Sequence, residues 1–143
     1  MTQNPGNEER RQLLEEAKTI AVVGLSNKPD RTSHMVTAEM QRRGYKIIPV
    51  NPVIAGETVL GEKVVSSLAE IEEPVDIVDV FRRSEDIMPV AEDALKMKHK
   101  PKAFWMQQGI SNEEAARKLR EAGIMVIQDL CIKVDHALLK VGK

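Results

Sequence analysis

With 143 residues, the chain has room for one hydrophobic core and none for a second catalytic domain. Hydrophobic residues make up 42% and charged residues 30%, a globular balance, and 21 basic against 22 acidic side chains leave a formal net charge of -1. That near-neutrality gives no broad field for nucleic acid or an anionic membrane, 3% aromatic residues give no base-stacking platform, and no apolar run approaches the roughly 20 residues of a bilayer span.

Residues 1–6 are polar, carry no basic stretch leading into an apolar core, and are expected to be disordered. A helix is predicted over 8–18, capped by Asn7, with Leu13, Leu14 and Ala17 on one side. The first strand, 19–24 (TIAVVG), is a β-branched run ended by glycine. A second helix over 33–43 carries Val36 and Met40 four apart and stops at Gly44, a left-handed C-terminal residue. The second strand is 46–50 (KIIPV), where Pro49 lacks a ladder donor and so belongs near a sheet edge or a strand end.

From 51 to 74 the pattern is less regular: Gly56 and Gly61 frame a short edge strand at 58–60, and 67–71 is one helical turn. The third strand is 75–81 (VDIVDVF), followed by a helix over 84–98 with Pro89 in its first turn. The fourth strand is 103–106 (AFWM). Ser111 to Glu114 form a capping box for a helix with Ala115, Ala116, Leu119 and Ala122 inward, ended by Gly123. The fifth strand is 124–127 (IMVI), and a last helix covers 133–140. The alternation predicts one α/β domain over 1–143: a doubly wound, mostly parallel five-stranded sheet in a Rossmann-type three-layer α/β/α arrangement. Such sheets bind ligands outside the strand C-termini at the switch point, which selects the loops after Gly24, Val50, Phe81 and Met106.

The loop from Gly24 to Ser33 (GLSNKPDRTS) enters a helix, so free amides and the positive helix end would face a bound phosphate. The same residues also suit an ordinary turn with Ser33 as N-cap. One glycine stands where a dinucleotide fingerprint has three, and Asn51-Pro52 ends the second strand where NAD needs an acidic residue, so NAD is disfavoured. Arg31, Arg82 and Arg83 suit a ligand with extra phosphate, since guanidinium forks match phosphate oxygens. No catalytic constellation and no metal spacing emerge: His34, His99 and His136 stand far apart. Cys131, the only cysteine, excludes an intrachain disulfide and is expected to be buried core filling; its alternative is a thiol within reach of a ligand on the same sheet edge.

Taken together, these segments resemble the family of small bacterial CoA-binding proteins, which is similar to the N-terminal CoA-binding domain of the succinyl-CoA synthetase α subunit and of NDP-forming acyl-CoA synthetases. The resemblance runs over about 18–139 and is carried by 20–26 (IAVVGLS), 44–52 (GYKIIPVNP), 75–82 (VDIVDVFR), 105–110 (WMQQGI) and 129–136 (DLCIKVDH). It implies coenzyme A as the cofactor. It also implies that Gly24, Leu25, Ser26, Asn27 and Ser33 cradle phosphates with help from Arg31. Asn51 and Pro52 would line the cofactor beside them, Phe81 and Arg82 would close over it, and Gln107 and Gln108 would face the pantetheine end.

Leu130 stands where the family more often has arginine, which makes the fifth-strand loop less cationic. The synthetases' phosphohistidine and nucleotide-grasp domains are missing from this sequence, so their activity does not carry over. The expected function is binding of coenzyme A or an acyl-CoA in the cytoplasm, as a carrier, a sensor or a subunit for a protein partner, without catalysis and away from nucleic acid and membrane. A small enzyme using acyl-CoA or NAD(P), and a ligand-free interaction scaffold, are the alternatives.

Overall fold

The computed structural model describes residues 3–143. In chain order its elements are α1 (Asn7–Glu16), β1 (Thr19–Val23), α2 (Thr32–Arg42), β2 (Lys46–Val50), β3 (Thr58–Val59), β4 (Glu62–Lys63), β5 (Ile77–Val80), α3 (Ile87–Leu95), β6 (Ala103–Met106), α4 (Glu113–Glu121), β7 (Met125–Ile127) and α5 (Ile132–Leu138). Five strands form one parallel sheet in the order β2-β1-β5-β6-β7, while β3 and β4 form a separate antiparallel hairpin. The fold is therefore the expected Rossmann-like one.

Residues of β5 and β6 are buried on both faces, which is why those strands are apolar without alternation except at Asp79. Helices α1, α2 and α5 cover one face through Leu14, Met40 and Ile132 against Ile20, Ile77 and Trp105. Helices α3 and α4 cover the other through Ala91 and Leu119 against Val78 and Phe104. Arg10 in α1 ties this layer to α5 by an ion pair with Asp135 at 2.8 Å, both side chains nearly buried.

β2 is an edge strand, as Pro49 requires. The Pro49 carbonyl accepts from the Val65 amide on the outer side, so its missing donor falls there and not in the β1–β2 ladder. Val65 bridges Val50 and shields that edge.

Local expectations shift at several ends. The cap of α1 is Gly6, not Asn7, and the cap of α4 is Asn112, not Ser111: the side-chain oxygen of Asn112 accepts from the Ala115 amide at 3.0 Å. Residues 58–59 pair with 62–63 and are no edge of the main sheet. The third strand is shorter at its start because Asp76 turns its carboxylate to the amides of Lys18 and Thr19. A one-turn 3₁₀ segment at Ser84–Asp86 precedes α3, so Pro89 is its third residue. Disorder over 1–6 does not extend to Asn4, whose side chain exchanges two hydrogen bonds with the backbone of Gln128. Met1 and Thr2 lie outside the described residues.

Candidate functional site

The winding reverses between β1 and β5. From β1 the chain passes through α2 outward to β2, whereas β5, α3, β6 and α4 build the other way on the opposite face. The loops leaving β1 and β5 part there and open a crevice over the strand ends. Gly24 forms its floor with φ +85°, its amide donating to the Val50 carbonyl at 2.8 Å. A Cβ at this position would stand 2.3 Å from the Phe81 carbonyl oxygen, so glycine alone lets the two backbones meet.

The β1–α2 loop is folded on itself. The Ser26 amide donates to Ser33 Oγ and the Lys28 amide to Ser26 Oγ, each at 3.0 Å. The cap position of α2 is Arg31 and not Ser33, which sits in the first turn; no side chain caps this helix, so its leading amides face the crevice side unclaimed by a cap. Asn27 donates to Glu57 at 2.9 Å. Asn51 donates to the Leu25 carbonyl at 3.1 Å and accepts from the Val53 amide at 3.0 Å. These two side chains hold the loop's shape, and Leu25 is fully buried, its carbonyl taken by Asn51.

A hollow of about 430 Å³ lies on this loop, lined by Gly24, Ser26, Lys28, Arg31 and Ser33 and walled by Phe81. Thr32 and Phe81 are shared with a second cavity of about 560 Å³, which reaches Arg82, Gln107, Gln108 and Cys131. Arg82 also borders a third hollow of about 410 Å³ that reaches Pro52 and Ser66. The structure thus gathers nine of the twelve residues singled out in the sequence around one groove, while Leu25, Asn27 and Asn51 line none of the three hollows.

The cations divide by partner. Arg83 is engaged by Asp86 at 3.1 Å and Glu85 at 3.7 Å, whereas Lys28, Arg31 and Arg82 have no carboxylate partner among the described residues. Unpaired cations on a groove rim are available to an anion at little desolvation cost.

The rim is stiffened by bonds between loops. Gly109 donates to Asp129 at 2.6 Å, Asp129 itself standing at φ 59°; Ser111 and Asn112 both bond Ser84 at 3.1 Å. Trp105 Nε1 donates to the Leu130 carbonyl at 2.8 Å and anchors the segment that carries Cys131. Cys131 is half-buried in the cavity wall and not the buried filler expected, because α5 begins one residue later and turns its own apolar face inward instead.

Sequence reasoning missed Asp79. It lies in the central strand, 1% exposed, and accepts from Gln107 Nε2 at 2.5 Å. Burial pushes its carboxyl up to about 7, against the hydrogen bonds from Gln107 and the Val80 amide. An acid inside a doubly buried parallel strand was the signal that could have found it. Ser84 was missed as well; nothing in its local pattern separates it from other polar loop residues. Among the described residues, no group of three or more His, Cys, Asp or Glu side chains is placed to hold a metal ion.

The chain is 56% identical over 138 residues to the uncharacterized protein YneT of Bacillus subtilis (strain 168), which covers 96% of this chain and 99% of that protein. A solved Thermus thermophilus structure, cell-free ID.343, superposes with a TM-score of 0.89 at 41% identity, over 94% of this chain and 99% of its own. A dinucleotide forming acetyl-coenzyme A synthetase from Ca. Korarchaeum cryptofilum shares the fold at TM-score 0.67 and 23% identity, over 81% of this chain and 26% of that one. The model of the CoA binding domain matches residues 18–137. With that span covering both the sheet and the groove at its C-terminal edge, the chain belongs to the CoA binding domain family.

Proposed function

We propose that this protein binds coenzyme A or an acyl-CoA across the C-terminal edge of its sheet, and that it serves as a carrier, a sensor or the CoA-binding subunit of a protein partner, without catalysis of its own. The observation that carries this reading is the adjacency of the hollow on the β1–α2 loop and the larger cavity, which share Thr32 and Phe81 as lining. Coenzyme A is anionic at its nucleotide end and carries amides and a terminal thiol on its arm. Lys28, Arg31 and the first turn of α2 suit the anionic end, with Arg82 between the hollows, and Gln107 and Gln108 offer amide groups to an arm. The cavity volumes lie in the range of small-molecule sites.

The family membership supports the same ligand class. NAD is poorly matched, because Gly24 is the only glycine of the loop and Asn51 spends its side chain on Leu25 and Val53. The reading treats 1–143 as one domain acting in the cytoplasm, which a lone cysteine suits; no helix among the described residues is long and apolar enough to cross a membrane.

The test is thermal unfolding with coenzyme A and with NAD at equal concentration. At a hundredfold excess over the dissociation constant, linkage gives about 2.7 kcal/mol of stabilisation, a readily measured rise in melting temperature. Coenzyme A is expected to raise it and NAD to raise it less. A shift with NAD and none with coenzyme A would overturn the proposal.

A further inference from the structure

A carboxyl in the middle of a doubly buried strand needs a physical account. Asp79 stands in register with Val22 of β1 and Trp105 of β6, and it shares its face of the sheet with Ile77. The cluster on that face, including Met40, Trp105, Ile127 and Ile132, is apolar and offers no counter-charge. Lys28, Arg31, Arg82, Arg83, Glu85 and Cys131 are the titratable groups lining the two hollows that Phe81 walls, and Arg10, Arg43, Asp135 and His136 lie on the helices covering this face. None is a hydrogen-bond or ion-pair partner of Asp79 among the described residues. Its one side-chain partner is Gln107, 4% exposed, which follows β6 directly and lines the 560 Å³ cavity.

A glutamine amide has two unlike ends. An ionised carboxylate can only accept, so it draws Nε2 inward and leaves Oε1 toward the cavity. A protonated carboxyl can donate, which allows Oε1 to turn inward and Nε2 to turn outward. We infer that Asp79 is a positioning residue that sets which end of the Gln107 amide faces the ligand cavity, an acceptor when Asp79 is ionised and a donor when it is protonated. The arrangement observed, with Nε2 on Asp79 Oδ1, is the acceptor-out state. The burial that raises the Asp79 carboxyl to about 7 makes both states accessible near neutral pH. The consequence for a ligand rests on the coenzyme A reading, in which the cavity takes the amide-bearing arm; the coupling between the two side chains does not.

Two measurements separate these levels. In the unliganded, isotope-labelled protein, NMR follows the Asp79 carboxyl carbon and the Gln107 side-chain NH₂ from pH 5 to pH 9. The two are expected to move with one midpoint above the ordinary aspartate range, and Asp79→Asn is expected to abolish the Gln107 response. A Gln107 amide that stays still while Asp79 titrates, or an Asp79 that titrates as an exposed aspartate does, overturns the inference whether or not coenzyme A binds.

Calorimetric titration with coenzyme A over the same pH range then compares wild type, Asp79→Asn and Gln107→Met. The wild type is expected to show a step of about three- to tenfold in affinity that both variants lack, the worth of one hydrogen bond. Titration of the ligand's own phosphate is common to all three proteins and cancels in the comparison. Parallel pH profiles for the three proteins would remove Gln107 from ligand recognition. No binding by any of them would sink the coenzyme A reading and leave the NMR result to decide the coupling.

Discussion

Replacing Gly24 by alanine tests the contact on which the groove is built. The new Cβ would stand 2.3 Å from the Phe81 carbonyl oxygen and 3.2 Å from its carbonyl carbon, both backbone atoms that no rotamer change can move. Relief requires the β1–α2 loop and the end of β5 to part by about 1 Å, a displacement of the overpacking kind that costs roughly 1–3 kcal/mol. The left-handed backbone at φ +85° adds about 1–2 kcal/mol for a residue with a Cβ. Together the loss is about 2–5 kcal/mol, or on the order of 5–15 °C in melting temperature for a chain of this length.

Gly56→Ala is the control. Gly56 also has positive φ, at +93°, but nothing lies within 4 Å of its Cβ position, so only the backbone contribution of about 1–2 kcal/mol applies. Urea unfolding of both variants, with and without coenzyme A, measures the difference directly. Gly24→Ala is expected to be the less stable of the two and to lose coenzyme A affinity in the folded protein, while Gly56→Ala keeps it. Equal destabilisation of the two variants would refute the argument that the Gly24–Phe81 approach shapes the crevice.

The unpaired arginines make a second test: Arg31→Ala and Arg82→Ala each remove a charge-assisted hydrogen bond worth about 1.5–3 kcal/mol, roughly ten- to a hundredfold in affinity. An arginine that holds the 3′-phosphate is expected to matter for coenzyme A and not for dephospho-coenzyme A, and equal losses on both ligands exclude that role for it. Cys131 supplies a footprint, since it is half-buried in the wall of the 560 Å³ cavity. Alkylation by iodoacetamide, followed by intact mass, is expected to proceed in the free protein and to slow as coenzyme A is added; a rate that ignores saturating ligand would put the arm elsewhere.

The order of elements and the class of sheet were legible in the chain itself. Local rules govern those features: the apolar runs KIIPV and AFWM match β2 and β6 to the residue, and Gly44 and Gly123 end their helices in the left-handed conformation as expected. Pro49 pointed to a sheet edge or a strand end, and β2 proves to be the edge. The resemblance to CoA-binding proteins also lay in the order of the motifs, and the family match agrees with it.

Other properties depend on which segments meet, and no local pattern encodes that. Asn27 and Asn51 carry the chemistry of ligand contacts, yet Glu57 takes the side-chain nitrogen of Asn27, and Leu25 and Val53 take both polar atoms of Asn51. Arg82 and Arg83 are chemically identical neighbours, and the turn at Ser84–Asp86 brings carboxylates to Arg83 and leaves Arg82 without one among the described residues. Asp79 stood in plain view inside VDIVDVF, but its meaning needed the partner that β6 delivers, Gln107 at 2.5 Å, twenty-eight positions along the chain. A parallel sheet joins strands that are remote in sequence, so the contacts between neighbouring strand ends at its C-terminal edge are long-range. Sequence could therefore name the edge, while the pairing of side chains across it came from the packing of loops that share no local signal.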